Sequence, residues 1–238
     1  MHHKVADDWI RDSVLGKSFA DIGGLWRTVG EKVTVAAGFG ASRLTMVDHS
    51  PSGSEDWRLF RERAAGLGVR EVCADANHDG FIQAVGEHQI VHCNGVLYHT
   101  PDPVGMLLQL ASITTEVLIL GTIHLGRFGQ LVNKFDRDPI GELPGSVFVP
   151  GLSDAHRGII ADAYLFPDHA PARGISEPQG RWTTDGQIDA AVFWWLHSVP
   201  AIEAMLAVVG FAIEDVIAVG PDSWEGRVIK FLCRKVRR

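Results

Sequence analysis

The chain has 238 residues, 46% of them hydrophobic and 21% charged, enough to bury a sizeable core in one large domain and too apolar for a largely disordered polymer. Its 22 Lys and Arg stand against 29 Asp and Glu, a net charge of −7 that weighs against a broad electrostatic grip on nucleic acid or anionic lipid. Three scattered cysteines, Cys73, Cys93 and Cys233, form neither a CxxC pair nor a disulfide framework and fit a reducing cytosol, while eleven histidines raise the question of a metal.

The N-terminus, Met1-His2-His3-Lys4, runs into Asp7 and Asp8 without an apolar stretch, so no signal peptide is expected. Residues 5–15 have the spacing of an amphipathic helix. Five short apolar runs then follow, at 18–22, 44–48, 71–75, 89–94 and 117–122, the second and third ending in an acid and the first carrying one, Asp21, next to its end. Continuous apolar runs of this length suit strands buried on both faces of a parallel sheet. Between them, 26–37, 55–65 and 103–113 read as helices, the last opened by Asp102-Pro103, a capping acid followed by a proline suited to a first turn. Such alternation predicts βαβ units.

The period stops from about 125 to 188, where Pro139, Pro144, Pro150, Pro167, Pro171 and Pro178 fall. A long irregular stretch inside a compact domain is usually functional, so 125–188 is expected to form a lid or the wall of an acceptor pocket, with short strands around 146–149 and a helix around 155–163. The pattern resumes with a helix opened by Ser198-Val199-Pro200 and stopped by Gly210. Segments 211–219 and 227–233 read as an antiparallel pair of strands joined by a turn at Gly220-Pro221-Asp222-Ser223. The most apolar region, 190–213, is broken by Pro200, Glu203 and Gly210 and reads as buried structure, so no membrane span is expected.

The candidate chemistry lies at the strand ends. Asp21-Ile22-Gly23-Gly24 spans the end of the first run, Asp48 ends the second, and Asp75 ends the third and is followed by Ala76. In open α/β sheets ligands bind at the carboxyl ends of the strands, and an acid at the end of the second accepts ribose hydroxyls in more than one cofactor class. A nicotinamide dinucleotide would need G-x-G-x-x-G with room for a pyrophosphate, whereas this turn carries an acid there. The fourth run leads into His92-Cys93-Asn94-Gly95-Val96-Leu97-Tyr98-His99-Thr100-Pro101-Asp102-Pro103.

Together these segments resemble the class I S-adenosylmethionine-dependent methyltransferases, over nearly the whole chain apart from 125–188. The Asn94-to-His99 segment is similar to one found in small-molecule methyltransferases and in wobble-uridine tRNA-modifying ones. The turn departs from the family pattern at Leu25 and Trp26, where small residues are common. The resemblance implies one domain over 1–238, a Rossmann-like α/β fold with a seven-stranded sheet in the order 3-2-1-4-5-7-6 flanked by helices, and an inserted lid. It implies S-adenosylmethionine as methyl donor, S-adenosylhomocysteine as product, and a small-molecule acceptor, an oxygen of a natural product or sugar. By the same resemblance, Asp21, Gly23 and Gly24 lie near the methionine portion and Asp48 at the ribose. Asp75 and Ala76 lie at the adenine, and Asn94 and Gly95 beside the sulfonium. Tyr98 faces the acceptor. His99 is the first candidate base, because a neutral imidazole can take a hydroxyl proton.

The segment Phe193-Trp194-Trp195-Leu196-His197-Ser198 supplies Trp194 and Trp195 as candidate acceptor walls and His197 as a second candidate base. His124, Asp136, Asp138, Asp154, His156, Asp168 and His169 match no metal-ligand spacing, so no metal is expected. Three alternatives stay open: a tRNA-modifying methyltransferase, favoured by the Asn94-to-His99 segment; a non-catalytic methyltransferase-like partner protein, favoured by Leu25-Trp26; and, more distantly, a nicotinamide oxidoreductase. A homodimer is left open, and a cytoplasmic location is expected.

Overall fold

The computed structural model describes residues 3–25, 31–125, 145–163, 175, 183–184, 187–188, 193–218 and 228–236. Five strands form a parallel set: β1 (Ser18–Ile22), β2 (Arg43–Asp48), β3 (Arg70–Cys73), β4 (His88–Asn94) and β5 (Thr114–Ile123). Four short strands follow in the chain, β6 (Ser146–Phe148), β7 (Thr183–Thr184), β8 (Gln187–Ile188) and β9 (Trp195–His197). The hairpin strands β10 (Phe211–Ala218) and β11 (Val228–Lys235) complete the main sheet, β11 lying antiparallel to both β5 and β10. The seven-stranded order is β3-β2-β1-β4-β5-β11-β10. Counted among the strands of this sheet alone, that is the 3-2-1-4-5-7-6 order the resemblance implies.

Helices cover both faces. The interior of β1 is buried throughout, as expected of a strand sandwiched between helical layers. On one face, α1 (His3–Val14), α2 (Val33–Gly38) and α3 (Glu55–Arg63) pack Trp9, Ile10, Val33, Trp57 and Phe60 against Phe19, Met46, Ile90 and Ile119. On the other, α4 (Phe81–Val85), α5 (Pro103–Ile113) and, late in the chain, α7 (Val199–Val208) pack Phe81, Leu107, Leu110, Ile202 and Leu206 against Ala20, Val91, Leu118 and Phe231. Fully burying one such aliphatic or aromatic side chain contributes about 1.5–3 kcal/mol. Helix starts follow the sequence closely. Asp102 accepts from the Gly105 amide at 2.8 Å ahead of Pro103, and the Ser54 and Ser198 hydroxyls accept from the amides of Trp57 and Ala201.

Several boundaries differ from the sequence reading. The helix expected over 26–37 is α2, six residues long and starting at Val33; residues 26–30 lie outside the described residues. Its start is late because the Lys32 amide is bonded to the Asp21 side chain. The third strand stops at Cys73, since the Ala74 amide turns to the Asp48 carbonyl, leaving Asp75 two residues beyond the strand. Helix α4 is additional; five residues between Gly80 and Gly86 are too few to show a period.

In the later region, α6 (Asp154–Ala163) and β6 sit close to where a helix and a strand are expected. Segment 195–197 is a strand, β9, antiparallel to β6, and Leu125 donates its amide to the His197 carbonyl at the end of β5. A third apolar cluster there joins Tyr98, Ile123, Leu125, Val149, Ile160, Phe193 and Leu196. The turn at 220–223 lies outside the described residues. Among the described residues no helix is long and apolar enough to cross a membrane, and all three cysteines are free.

Candidate active site

The carboxyl ends of β1, β2 and β4 meet at one edge of the sheet. Asp21 is register partner of His92 on β4 and is fully buried. Its Oδ1 lies 2.7 Å from Nδ1 of His92, which is 2% exposed, and its Oδ2 accepts from the Lys32 amide at 2.6 Å. A carboxylate only accepts, so Nδ1 carries the proton in this pair. Lys32 in turn sets its ammonium 2.6 Å from Asp7 of α1. The Asp21 carboxylate is thus bonded inside the protein, beneath the turn that follows it. The two glycines of that turn answer to protein atoms. Gly23 has φ +76, and a Cβ there would run into Cγ2 of Val96, while a Cβ at Gly24 would lie 2.6 Å from Oδ2 of Asp21 and 3.0 Å from Cε of Met46.

Asp48, 5% exposed, ends β2 and ties its neighbours together: Oδ2 accepts from the Leu25 amide at 3.3 Å and Oδ1 from the Ser50 amide at 2.9 Å. Asp75 is half-buried, and its Oδ1 accepts from the Asn77 amide at 2.8 Å and from Asn77 Nδ2 at 2.7 Å. Ala76 is buried, and its carbonyl accepts from Gln109 of α5 at 2.8 Å. Thr100 donates to the Asn77 side-chain oxygen, joining this loop to the one after β4.

At the end of β4, the Asn94 carboxamide oxygen is buried and has no hydrogen-bond partner among the described residues. It lies over Gly121 of β5, its register partner, where a Cβ would overlap it. Gly95, at φ +80, donates its amide to the Gly121 carbonyl at 3.0 Å, and a Cβ on Gly95 would sit 3.5 Å from the Tyr98 hydroxyl. Burial pushes the Tyr98 phenol well above its ordinary pKa, so it stays neutral and able to donate.

The segment after β4 is laced to residues 193–197. The rings of Tyr98 and Phe193 stack at 4.6 Å, and the His99 ring stands edge-on to Phe193 at 5.0 Å. The Trp194 amide donates to the Tyr98 carbonyl at 2.9 Å and Trp195 Nε1 to the Pro101 carbonyl at 3.0 Å. Phe148 packs 4.8 Å from Trp195. His197 is 2% exposed, with Nδ1 2.7 Å from the Ser146 hydroxyl and Nε2 buried without a partner among the described residues. Burial lowers its pKa to about 4, so the ring is neutral near pH 7.

The structure therefore gathers Asp21, Gly23, Gly24, Asp48, Asn94 and Gly95 at the strand ends, with Asp75 and Ala76 in the loop just beyond β3. Tyr98, His99, Trp194, Trp195 and His197 gather beside them. Sequence reasoning missed His92, Asn77, Ser146 and Phe193 as parts of this arrangement. For His92 a signal existed: both it and Asp21 fall just before the ends of their strands, which makes them neighbours once β1 and β4 pair. Among the described residues no three His, Cys, Asp or Glu side chains gather as a metal site; Asp136, Asp138, Asp168 and His169 lie outside the described residues.

No protein-family model matches the chain, and no curated protein matches it. Solved structures do. An S-adenosylmethionine-dependent methyltransferase from Mesorhizobium loti is 17% identical, with 97% of this chain and 96% of that chain covered and a TM-score of 0.57. Magnesium protoporphyrin IX methyltransferase from Synechocystis, with bound S-adenosylhomocysteine, is 16% identical, with coverage of 98% and 83% and a TM-score of 0.57. A structure provisionally described as a zinc-dependent alcohol dehydrogenase from Rhodobacter sphaeroides is 15% identical, with coverage of 98% and 88% and a TM-score of 0.59. At these identities the likeness is one of fold, the Rossmann-like α/β fold found in class I methyltransferases.

Proposed function

We propose that the chain is an S-adenosylmethionine-dependent methyltransferase that methylates an oxygen of a small-molecule acceptor. One observation carries this reading: Asp48 and the Asn94 carboxamide, whose oxygen has no hydrogen-bond partner among the described residues, stand at the carboxyl ends of strands on either side of the Asp21-Ile22-Gly23-Gly24 turn. The resemblance of 92–103 to small-molecule methyltransferases and the likeness to structures of that class support it. A nicotinamide dinucleotide fits the turn poorly, because the Asp21 carboxylate underlies the place a pyrophosphate would take.

S-adenosylmethionine supplies an electrophilic methyl group on a positively charged sulfur. Asp48 binds the ribose by exchanging its bond to the Leu25 amide for the hydroxyls, and Asp75 with the Ala76 amide takes the adenine edge. Asp21 holds the turn through His92 and Lys32, and Gly23 and Gly24 let it close. Asn94 and Gly95 set their dipoles beside the sulfonium. Tyr98, Trp194 and Trp195 wall the acceptor, and His99 or His197 accepts its proton. Holding acceptor oxygen and methyl in line supplies much of the rate. The Trp195 ring, packed 4.8 Å from Phe148, suits a planar acceptor.

Calorimetry with S-adenosylhomocysteine tests the reading. The native chain binds it and melts at a higher temperature in its presence. Asp48→Ala binds it at least about tenfold more weakly, the equivalent of 1.4 kcal/mol. No binding by the native chain, or equal binding by the variant, refutes the assignment.

A further inference from the structure

Residue 146 was not among the candidates read from the sequence, yet its hydroxyl is the hydrogen-bond partner of a buried candidate base. Ser146 and His197 face each other across the β6–β9 pair, with Oγ 2.7 Å from Nδ1. Neighbouring residues hold the pair in place. Ser198 takes the Gly145 amide on its hydroxyl at 3.0 Å and gives its own amide to the Gly145 carbonyl at 2.9 Å. The Trp195 indole lies nearly parallel to the His197 ring, 6.2 Å between centroids, and is itself fixed by its bond to Pro101. The His197 carbonyl receives the Leu125 amide. His197 forms an isolated bridge with His124, the residue after β5 and three past Gly121, so it stands about 10 Å along the strand direction from the Asn94 level at 3.3 Å per residue.

A neutral imidazole has one proton and two nitrogens, and the surroundings decide which nitrogen holds it. Ser146 is exposed, so water can receive its hydroxyl proton while its oxygen accepts from Nδ1–H. Nε2 is buried with no acceptor among the described residues. A proton placed there would be an orphaned buried donor, which folded proteins avoid more strictly than an unused lone pair.

We propose that Ser146 is a positioning residue that holds His197 in the tautomer protonated at Nδ1, leaving Nε2 as the bare acceptor of the substrate's hydroxyl proton. This rests on the methyl-transfer reading above and selects His197 over His99 as the base. In the step, the substrate O–H bond breaks and its proton passes to Nε2. An oxygen electron pair forms the new bond to the methyl carbon, and the carbon–sulfur bond breaks with its electrons going to sulfur. The sulfonium becomes a neutral thioether, and the imidazolium returns the Nε2 proton to water after product leaves. Burial, which keeps its pKa near 4, leaves the ring neutral near pH 7 and makes it a weaker base than a free imidazole.

Long-range proton–nitrogen correlation spectra of protein carrying nitrogen-15 histidine, bound to S-adenosylhomocysteine at pH 7, test the proposal, with His197→Gln assigning the signal. The native protein shows His197 protonated at Nδ1 and bare at Nε2. Ser146→Ala shows a mixture of tautomers or protonation at Nε2, with its melting temperature lowered by no more than about 4 °C. Ser146→Thr restores the native pattern. Protonated Nε2 in the native protein, or an unchanged tautomer in Ser146→Ala, overturns the proposal. Failure of the native protein to bind S-adenosylhomocysteine instead refutes the methyl-transfer reading on which the step rests, and is recorded separately from the tautomer.

Discussion

The bond between Asp21 and His92 is a buried polar contact beneath the turn that follows β1, and removing it has a cost that can be worked out. Asp21 is fully buried and His92 is 2% exposed, so water cannot replace either partner. In His92→Leu the carboxylate keeps the Lys32 amide on Oδ2 and loses the donor 2.7 Å from Oδ1. A hydrogen bond to a charged group contributes about 1.5–3 kcal/mol, and stranding a buried charge costs about 3–5 kcal/mol. The remaining amide and the apolar leucine put the expected loss near the overlap, about 3 kcal/mol. In a chain of this size each kcal/mol moves the melting temperature by about 2–4 °C, so a fall of about 6–12 °C is expected. Urea unfolding of the native protein, His92→Leu, Asp21→Ala and the double variant closes a thermodynamic cycle. Because the double variant leaves no stranded charge, the two single losses should not add, and the coupling should reach about 2 kcal/mol. A single-variant loss below about 1 kcal/mol, or additive losses, refutes the account of Asp21 as a carboxylate held from within.

Three further outcomes follow from the same geometry. Burial lowers both His88 and His197 to about 4, below the unfolded value near 6.5. Between those values the unfolded chain binds the extra protons, so the contribution of these two groups is constant above about pH 6.5 and falls below it by about 1.4 kcal/mol per pH unit for each group. Urea unfolding at pH 7.5 and pH 5 should differ by several kcal/mol, and equal midpoints would contradict the buried neutral assignment. Gly121→Ala drives a methyl onto the Asn94 carboxamide and should cost about 1–3 kcal/mol. It should also weaken S-adenosylhomocysteine binding in calorimetry, whereas retained affinity would detach Asn94 from the cofactor. Ser198→Ala removes the oxygen that accepts from both Ala201 and Gly145, and thermal unfolding should register a loss of about 1–2 kcal/mol.

Much of this protein is written locally in its chain. Helical starts at Ser54, Asp102 and Ser198 follow from a side-chain oxygen placed where free amides need one. The five parallel strands follow from apolar runs too long and continuous to leave one face in water. The sheet order came through the family resemblance, and the acids at the ends of β1 and β2 were legible once that edge was identified as the ligand side. Short-range chemistry fixes such features, so a short window of sequence is enough to read them.

What only the tertiary structure decided lies between residues far apart in sequence. Asp21 meets His92 because β1 and β4 are register partners across 71 positions, which turns an acid expected to face a ligand into a buried support for the turn. Ser146 meets His197 across 51 positions, through a two-stranded sheet whose strands are each only three residues long. Gly121 is required by an asparagine on another strand. No local period records these contacts, because a strand's sequence states which faces are buried, while its neighbours and their register are settled by packing of the whole sheet. The histidines show the difference most plainly: the sequence supplies eleven and hints at a metal. The fold instead bonds one to a buried acid, and it pins another beside a serine at the edge where methyl transfer is proposed.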